Sequence, residues 1–181
     1  QDLFETVIGP LKNAATPSWC LICSALTCWL WAATSVPIDR LRIIRPFNFF
    51  IRGEQVFFAN HRSDIERFAR EIAARNIRPE LEVYSAAMLE EVQHLLGLGI
   101  LDPPYVINLV LHTPTQGGTR GSPENLADAL ERLRRLPVPF DDLRINVTSM
   151  GPTQLPLTTI AMAMGLNARV GMEDNVLYRR D

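Results

Sequence analysis

From Pro46 onward the chain alternates short β-rich runs with stretches whose apolar residues keep helical spacing. Two aromatic and β-branched runs, PFNFFI and QVFFAN, come first. Ser63 and Glu66 then form a capping-box pattern, and Ile65, Phe68, Ala69 and Ile72 share one face of the helix it opens, which should end near Asn76. LEVY follows Pro79 as a strand. Ser85 caps the next helix, through Met88, Leu89, Val92 and Leu96, and Gly97 closes it. YVINLVL, Tyr105 to Leu111, reads as another strand. Beyond the polar loop HTPTQGGTRGS, Ser122 and Pro123 open a helix through Leu126, Leu130 and Leu133. LRINVTSM is again a strand, QLPLTTIAMAMG a helix closed at Gly165, and RVGM an apolar, β-like run that breaks into Glu173, Asp174 and Asn175.

Each strand–helix unit spans roughly thirty residues, the length of a parallel crossover. The expected class is therefore α/β with a parallel sheet. In such folds the C-terminal ends of the strands converge on one face, and the site lies there. That face would gather Ser85, His112, Gly117, Gly118, Ser149, Gly151 and the Glu173–Asp174 pair. Adjacent acids are ordinarily a solvated turn; at a strand tip they become candidates for holding a metal or moving a proton.

A chain of 181 residues can bury a real core as one domain. The net charge is −2 and the basic residues are interspersed with acids, which excludes a nucleic-acid footprint. Composition breaks in one place. Residues 13–38 carry no charge, and Cys20, Cys23, Cys28, Trp19, Trp29 and Trp31 all fall there. WCLICSALTCWLWAA is apolar enough to raise a membrane helix. The bracketing Pro17 and Pro37, the amphipathic piece through Leu3, Phe4, Val7, Ile8 and Leu11, and the lack of a secretory n-region and cleavage site argue against a span. Cys20-x-x-Cys23 has no second pair and no nearby His, so the thiols read as reduced and structural. The chain divides on this reading into a divergent segment, 1–45, and an α/β part, 46–181.

The run GPTQLPLTTIAMAMGLNARVGMEDN, with PELEVY and SPENL before it, resembles the β-keto acid cleavage enzymes, also called 3-keto-5-aminohexanoate cleavage proteins. The likeness covers most of the chain from Pro46. It is densest over Gly151 to Asn175, where Gln154, Leu155, Pro156, Gly165, Arg169, Gly171, Glu173, Asp174 and Asn175 stand at the family's spacing. The resemblance implies a zinc-dependent (β/α)8 TIM barrel, of which this chain would carry the last five strands. It implies a cytoplasmic enzyme of amino acid catabolism that takes a small β-keto acid and acetyl-CoA to acetoacetate and a new acyl-CoA. By position, Glu173 would be a zinc ligand, and Arg169 and Asp174 the catalytic pair that orients and deprotonates the keto acid. Gly117, Gly118, Gly151 and Asn175 are weaker substrate-binding candidates, Asn175 also as the residue that fixes the turn. A strand extended to Glu173 would put Arg169 and Glu173 on one side and Asp174 on the other. His112 reads as a loop histidine, His61 and His94 carry no role, and Met162, Met164 and Met172 read as core filling.

The sequence departs from the family in several respects. It has no His-x-His pair, the family's other two zinc ligands. Also missing are the first three strands with their acidic residue and serine-bearing loop, and the helix after the last strand. Residues 14–44 turn foreign between matching flanks, as a reading-frame slip would produce; a genuine core or membrane segment would have the same composition. Five strands cannot close an eight-stranded barrel, so a homo-oligomer or a partner supplying the missing strands is expected. The competing reading is a truncated, non-catalytic remnant or interaction module of the family.

Overall fold

The computed structural model describes residues 21–22, 47–51, 54–58, 61–76, 78–113, 117–172 and 174–177. Its strands are β1 (Leu21–Ile22), β2 (Phe47–Ile51), β3 (Glu54–Phe58), β4 (Pro79–Val83), β5 (Tyr105–Leu111), β6 (Leu143–Ser149) and β7 (Asn167–Ala168). The helices are α1 (Arg62–Ala74), α2 (Ala86–Gly97), α3 (Pro123–Leu133) and α4 (Gln154–Ala163), with 3-10 turns at Phe140–Asp142 and Gly151–Thr153. Five strands form one parallel sheet in the order β1-β4-β5-β6-β7, and a helix joins each pair from β4 to β7.

The parallel α/β expectation holds for that sheet but not for the first two aromatic runs. β2 and β3 pair antiparallel as a separate hairpin, Phe47 opposite Phe58 and Ile51 opposite Glu54. Only positions 52 and 53 separate them, and a parallel connection needs a crossover of a dozen residues or more. Inside the Cys- and Trp-rich run, Leu21 and Ile22 pair with Pro79 and Glu80 at the edge of the sheet. The cysteines, the tryptophans and the remainder of that run lie outside the described residues. No helix among the described residues is long and apolar enough to cross a membrane.

Helix ends follow the local chemistry, with one correction. Ser122 Oγ accepts the Asn125 N–H at 3.3 Å, and Pro123 occupies the first turn of α3. Asn76 ends α1 at φ 56°, a left-handed turn that asparagine tolerates better than most residues. The Ser63–Glu66 capping box does not form. The His61 carbonyl already accepts the N–H groups of Asp64 and Ile65, so the helix begins ahead of Ser63 and leaves that residue within the first turn.

The sheet has two chemically distinct faces. Leu81, Ile107 and Ile145 stand side by side in register, as do Val83, Leu109 and Val147. These rows pack on Leu89, Val92 and Leu96 of α2, Leu126, Leu130 and Leu133 of α3, and Leu157 and Ala161 of α4. Ile107, Val147, Leu126 and Leu133 are fully buried there. The opposite phase of the same strands carries Glu80, Glu82, Asn108, Asn146 and Thr148. The three methionines are not core filling. Met162, Met164 and Met172 are 58%, 49% and 84% exposed, because α4 turns Leu157, Thr158 and Ala161 inward and Met172 lies past the end of β7.

α1 and α2 meet through Ala69, Ile65 and Leu95 and, at the surface, through polar contacts. Arg62 grips Glu91 through two N–H···O contacts of 2.6 and 2.9 Å, and His94 Nε2 lies 2.7 Å from Glu66 Oε1. The hydrogen bond from Arg62 keeps the Glu91 carboxyl below the usual carboxylate range, against a smaller opposing push from burial. A depressed folded-state pKa contributes stability that is present above the unfolded value and lost as pH falls through the folded one. Unfolding free energy measured by denaturant titration should therefore drop between roughly pH 5 and pH 3, and Glu91→Gln should flatten part of that drop.

Candidate functional site

Four neighbouring strands bring polar side chains to one face. Glu82, Asn108, Asn146 and Asn167 occupy one register row across β4, β5, β6 and β7. Asn146 Nδ2 donates to Glu80 Oε1, and Thr148 Oγ1 donates to Asn108 Oδ1 at 2.9 Å. Glu80, Asn108 and Thr148 are all but inaccessible. Burying such groups costs about 1–3 kcal/mol each unless they are hydrogen-bonded, and here they bond across strands except for Asn108 Nδ2, which has no partner among the described residues.

From that row toward the C-terminal ends of the strands lies the charged centre. Glu82, its side chain 5% exposed, forms an ion pair with Arg169, Oε1 to Nη1 at 3.7 Å. Its other oxygen, Oε2, accepts the Tyr84 hydroxyl at 2.7 Å. Arg169 directly follows β7 and extends its ladder by one bond, its N–H donating to the Val147 carbonyl at 3.0 Å.

The chain then turns instead of running on as a strand. Asp174 and Asn175 both donate their N–H groups to the Gly171 carbonyl, at 3.1 and 3.3 Å. The expected extended geometry, with Arg169 and Glu173 on one side, is thereby replaced by a turn after β7; Glu173 lies outside the described residues. Asp174 is buried, and its carbonyl accepts the Gly151 N–H at 2.9 Å. Asn175 closes the turn from its side chain, which donates to the Leu177 carbonyl and accepts the Leu177 N–H.

The loop after β5 folds back over these ends. His112 N–H donates to the Thr119 carbonyl at 2.8 Å, and Thr119 N–H donates to the Tyr84 carbonyl at 2.7 Å. Gly118 is there for packing: a Cβ would overlap Thr113 Oγ1 and stand 3.3 Å from the Tyr84 carbonyl oxygen. Gly117, at φ 66°, faces open space. Thr153 Oγ1 donates to the Met150 carbonyl at 2.9 Å, which leaves Ser149 as donor in the 2.7 Å contact between the two hydroxyls.

Of the residues singled out from sequence, Gly151 and Asp174 are thus joined directly. Arg169 meets a residue that sequence reading passed over, Glu82, and through it Tyr84. The signal for these was available. LEVY and LRINVTSM alternate with period two and YVINLVL is apolar but for one asparagine, so Glu82, Asn108, Asn146 and Thr148 fall in the phase opposite to Leu81, Ile107, Leu109, Ile145 and Val147.

A family model described as beta-keto acid cleavage enzyme matches residues 23–181. The chain belongs to this family. The match reaches back into the Cys- and Trp-rich run, ahead of the boundary at residue 46. Among curated members, the 3,5-dioxohexanoate:acetyl-CoA acetone transferase of Paraburkholderia graminis is 33% identical over 125 residues, 68% of this chain and 39% of that protein. The 3-keto-5-aminohexanoate cleavage enzyme of Acetoanaerobium sticklandii is 27% identical over 128 residues, 71% of this chain and 44% of that one. Among solved structures, apo ObcA superposes with a TM-score of 0.54 at 21% identity, covering 71% of this chain and 33% of ObcA. The chain spans about two-fifths of the length of the curated relatives it matches.

The loop packing gives a testable consequence for this family member. Gly118→Ala should destabilise it by about 1–3 kcal/mol through overlap with Thr113. Adding Thr113→Ala should recover part of that loss, so a double-mutant cycle by thermal unfolding should give a clearly non-additive pair.

Proposed function

We propose that this chain carries the substrate-handling part of an enzyme that converts a β-keto acid and acetyl-CoA to acetoacetate and a new acyl-CoA. One observation supports the reading above others: a guanidinium, Arg169, set against the buried carboxylate of Glu82, with the buried Asp174 a few residues on at the same end of the sheet. The names of the relatives, which speak of acetyl-CoA transfer and of keto acid cleavage, agree with it.

A β-keto acid offers a carboxylate and, beyond one carbon, a ketone. Arg169 presents a planar fork of N–H donors suited to a carboxylate, and with 24% of its side chain exposed it can take one from outside while Glu82 holds it from within. Asp174 is the base on this reading. It accepts a proton from the carbon between the two carbonyl groups, and the electron pair spreads onto the ketone oxygen. That carbon bonds to the acetyl carbon of acetyl-CoA as the CoA thiolate leaves. The thiolate then attacks the original ketone carbon and breaks its bond to the central carbon, which regains the proton as acetoacetate departs.

The resemblance also implies zinc, which in catalytic sites takes three protein ligands. Among the described residues no three His, Cys, Asp or Glu side chains gather for a metal, and the sequence has no His-x-His. The described residues do not make a zinc site, and the steps above are assigned to side chains alone. The same observation favours a second reading, a non-catalytic module that keeps the fold and lacks the metal.

The parallel sheet is read as five strands of a (β/α)8 barrel whose edges, β1 and β7, take further strands from a partner or a second copy. Sedimentation decides this: a folded monomer that turns over keto acid without any added chain would remove the need for a partner.

Turnover separates enzyme from module. Acyl-CoA formation from acetyl-CoA and a β-keto acid should fall about a hundredfold or more in Arg169→Lys and in Asp174→Asn. Bound zinc measured by mass spectrometry should be well below one ion per chain, as the described residues gather no metal ligands; a folded sample without turnover would leave the module reading standing.

A further inference from the structure

Tyr84 makes bonds in three directions at the end of β4. Its hydroxyl donates to Glu82 Oε2 at 2.7 Å. The carbonyl accepts the Thr119 N–H at 2.7 Å and lies against Gly118, so the returning loop is docked on it. The N–H meets Met88 Sδ at 3.3 Å, tying the same residue to the first turn of α2. Glu82 is two residues away on the strand, on the same side, and its remaining oxygen faces Arg169 at 3.7 Å.

We propose that Tyr84 is a positioning residue, which fixes the Glu82 carboxylate toward Arg169 with its hydroxyl while its main chain holds Thr119 beside it. A carboxylate has two oxygens and a freely turning terminal bond. At 3.7 Å an ion pair leaves the orientation of that bond loosely determined, whereas a phenol hydrogen bond at 2.7 Å specifies it. With Oε2 taken by Tyr84, Oε1 is the oxygen left to face the guanidinium. Tyr84 thus bears on the direction of the Arg169 fork through Glu82.

The inference rests on the reading of Arg169 as the group that orients the keto acid, and its test has a readout independent of turnover. Tyr84→Phe keeps the ring and every main-chain bond and removes only the hydroxyl. In protein labelled with 15N-arginine, the Arg169 Nε resonance, assigned by its loss in Arg169→Lys, should move in Tyr84→Phe and in Glu82→Gln. Thermal unfolding should show both variants folded. Turnover in Tyr84→Phe should fall about tenfold, mainly in kcat, and the Tyr84→Phe/Glu82→Gln double variant should lose little more than Glu82→Gln alone. An Arg169 resonance unmoved by Tyr84→Phe would overturn the proposal, as would losses that simply add. If the native chain shows no turnover, the enzymatic reading falls and the arginine resonance alone still decides whether Tyr84 acts through Glu82.

Discussion

The parallel sheet depends on keeping its two phases apart, one apolar and the other mixing polar side chains with Val106 and Val110. A strand sends successive side chains to opposite faces, so one sequence of seven residues must satisfy an apolar layer and a polar layer at once. In β5 and β6 the odd positions, Ile107, Leu109, Ile145 and Val147, anchor the helices. Even positions, Asn108, Asn146 and Thr148, bond to one another and to Glu80 across the strands. A slip of one residue in any strand would drive asparagine and glutamate into the leucine layer and isoleucine into the polar one. The register that protects the core is thus the register that lines up Glu82, Asn108, Asn146 and Asn167.

Much of the architecture was readable because helix and strand signals here agree with tertiary packing. Ser122-Pro123, Gly165 and Asn76 mark boundaries that the backbone respects, and the leucine spacing of α3 matches its buried face. The exceptions have local causes. Ser63–Glu66 fits a capping box, yet the first helical hydrogen bonds already reach the His61 carbonyl. PFNFFI and QVFFAN were strands as expected, but their short separation forces a hairpin. Met162 and Met164 stand among apolar neighbours, and nothing in their own chemistry says that they face outward at the end of α4.

At the site, a conspicuous string of residues was easier to read than a distributed one. RVGMEDN draws attention to Arg169 and Asp174, and the carbonyl of Asp174 does meet Gly151. The partner of Arg169 comes from β4, 87 residues earlier in the numbering of the pair Arg169–Glu82. Glu82 looks like an ordinary surface acid in PELEVY until the sheet is assembled around it. Spatial pairing of this kind is carried by topology, and a linear pattern gives only its phase.

The bond from the Gly151 N–H to the Asp174 carbonyl joins main chain to main chain. That bond ties the backbone at the acid to the start of the last helical lead-in, where Gly151 adopts φ 58°. The exposed Val170 and Met172 are free to change with whatever lies against them, while the carboxylate between turn and helix keeps its place. Diversity in what the surface meets and constancy in where the acid stands are, in this chain, assigned to different atoms.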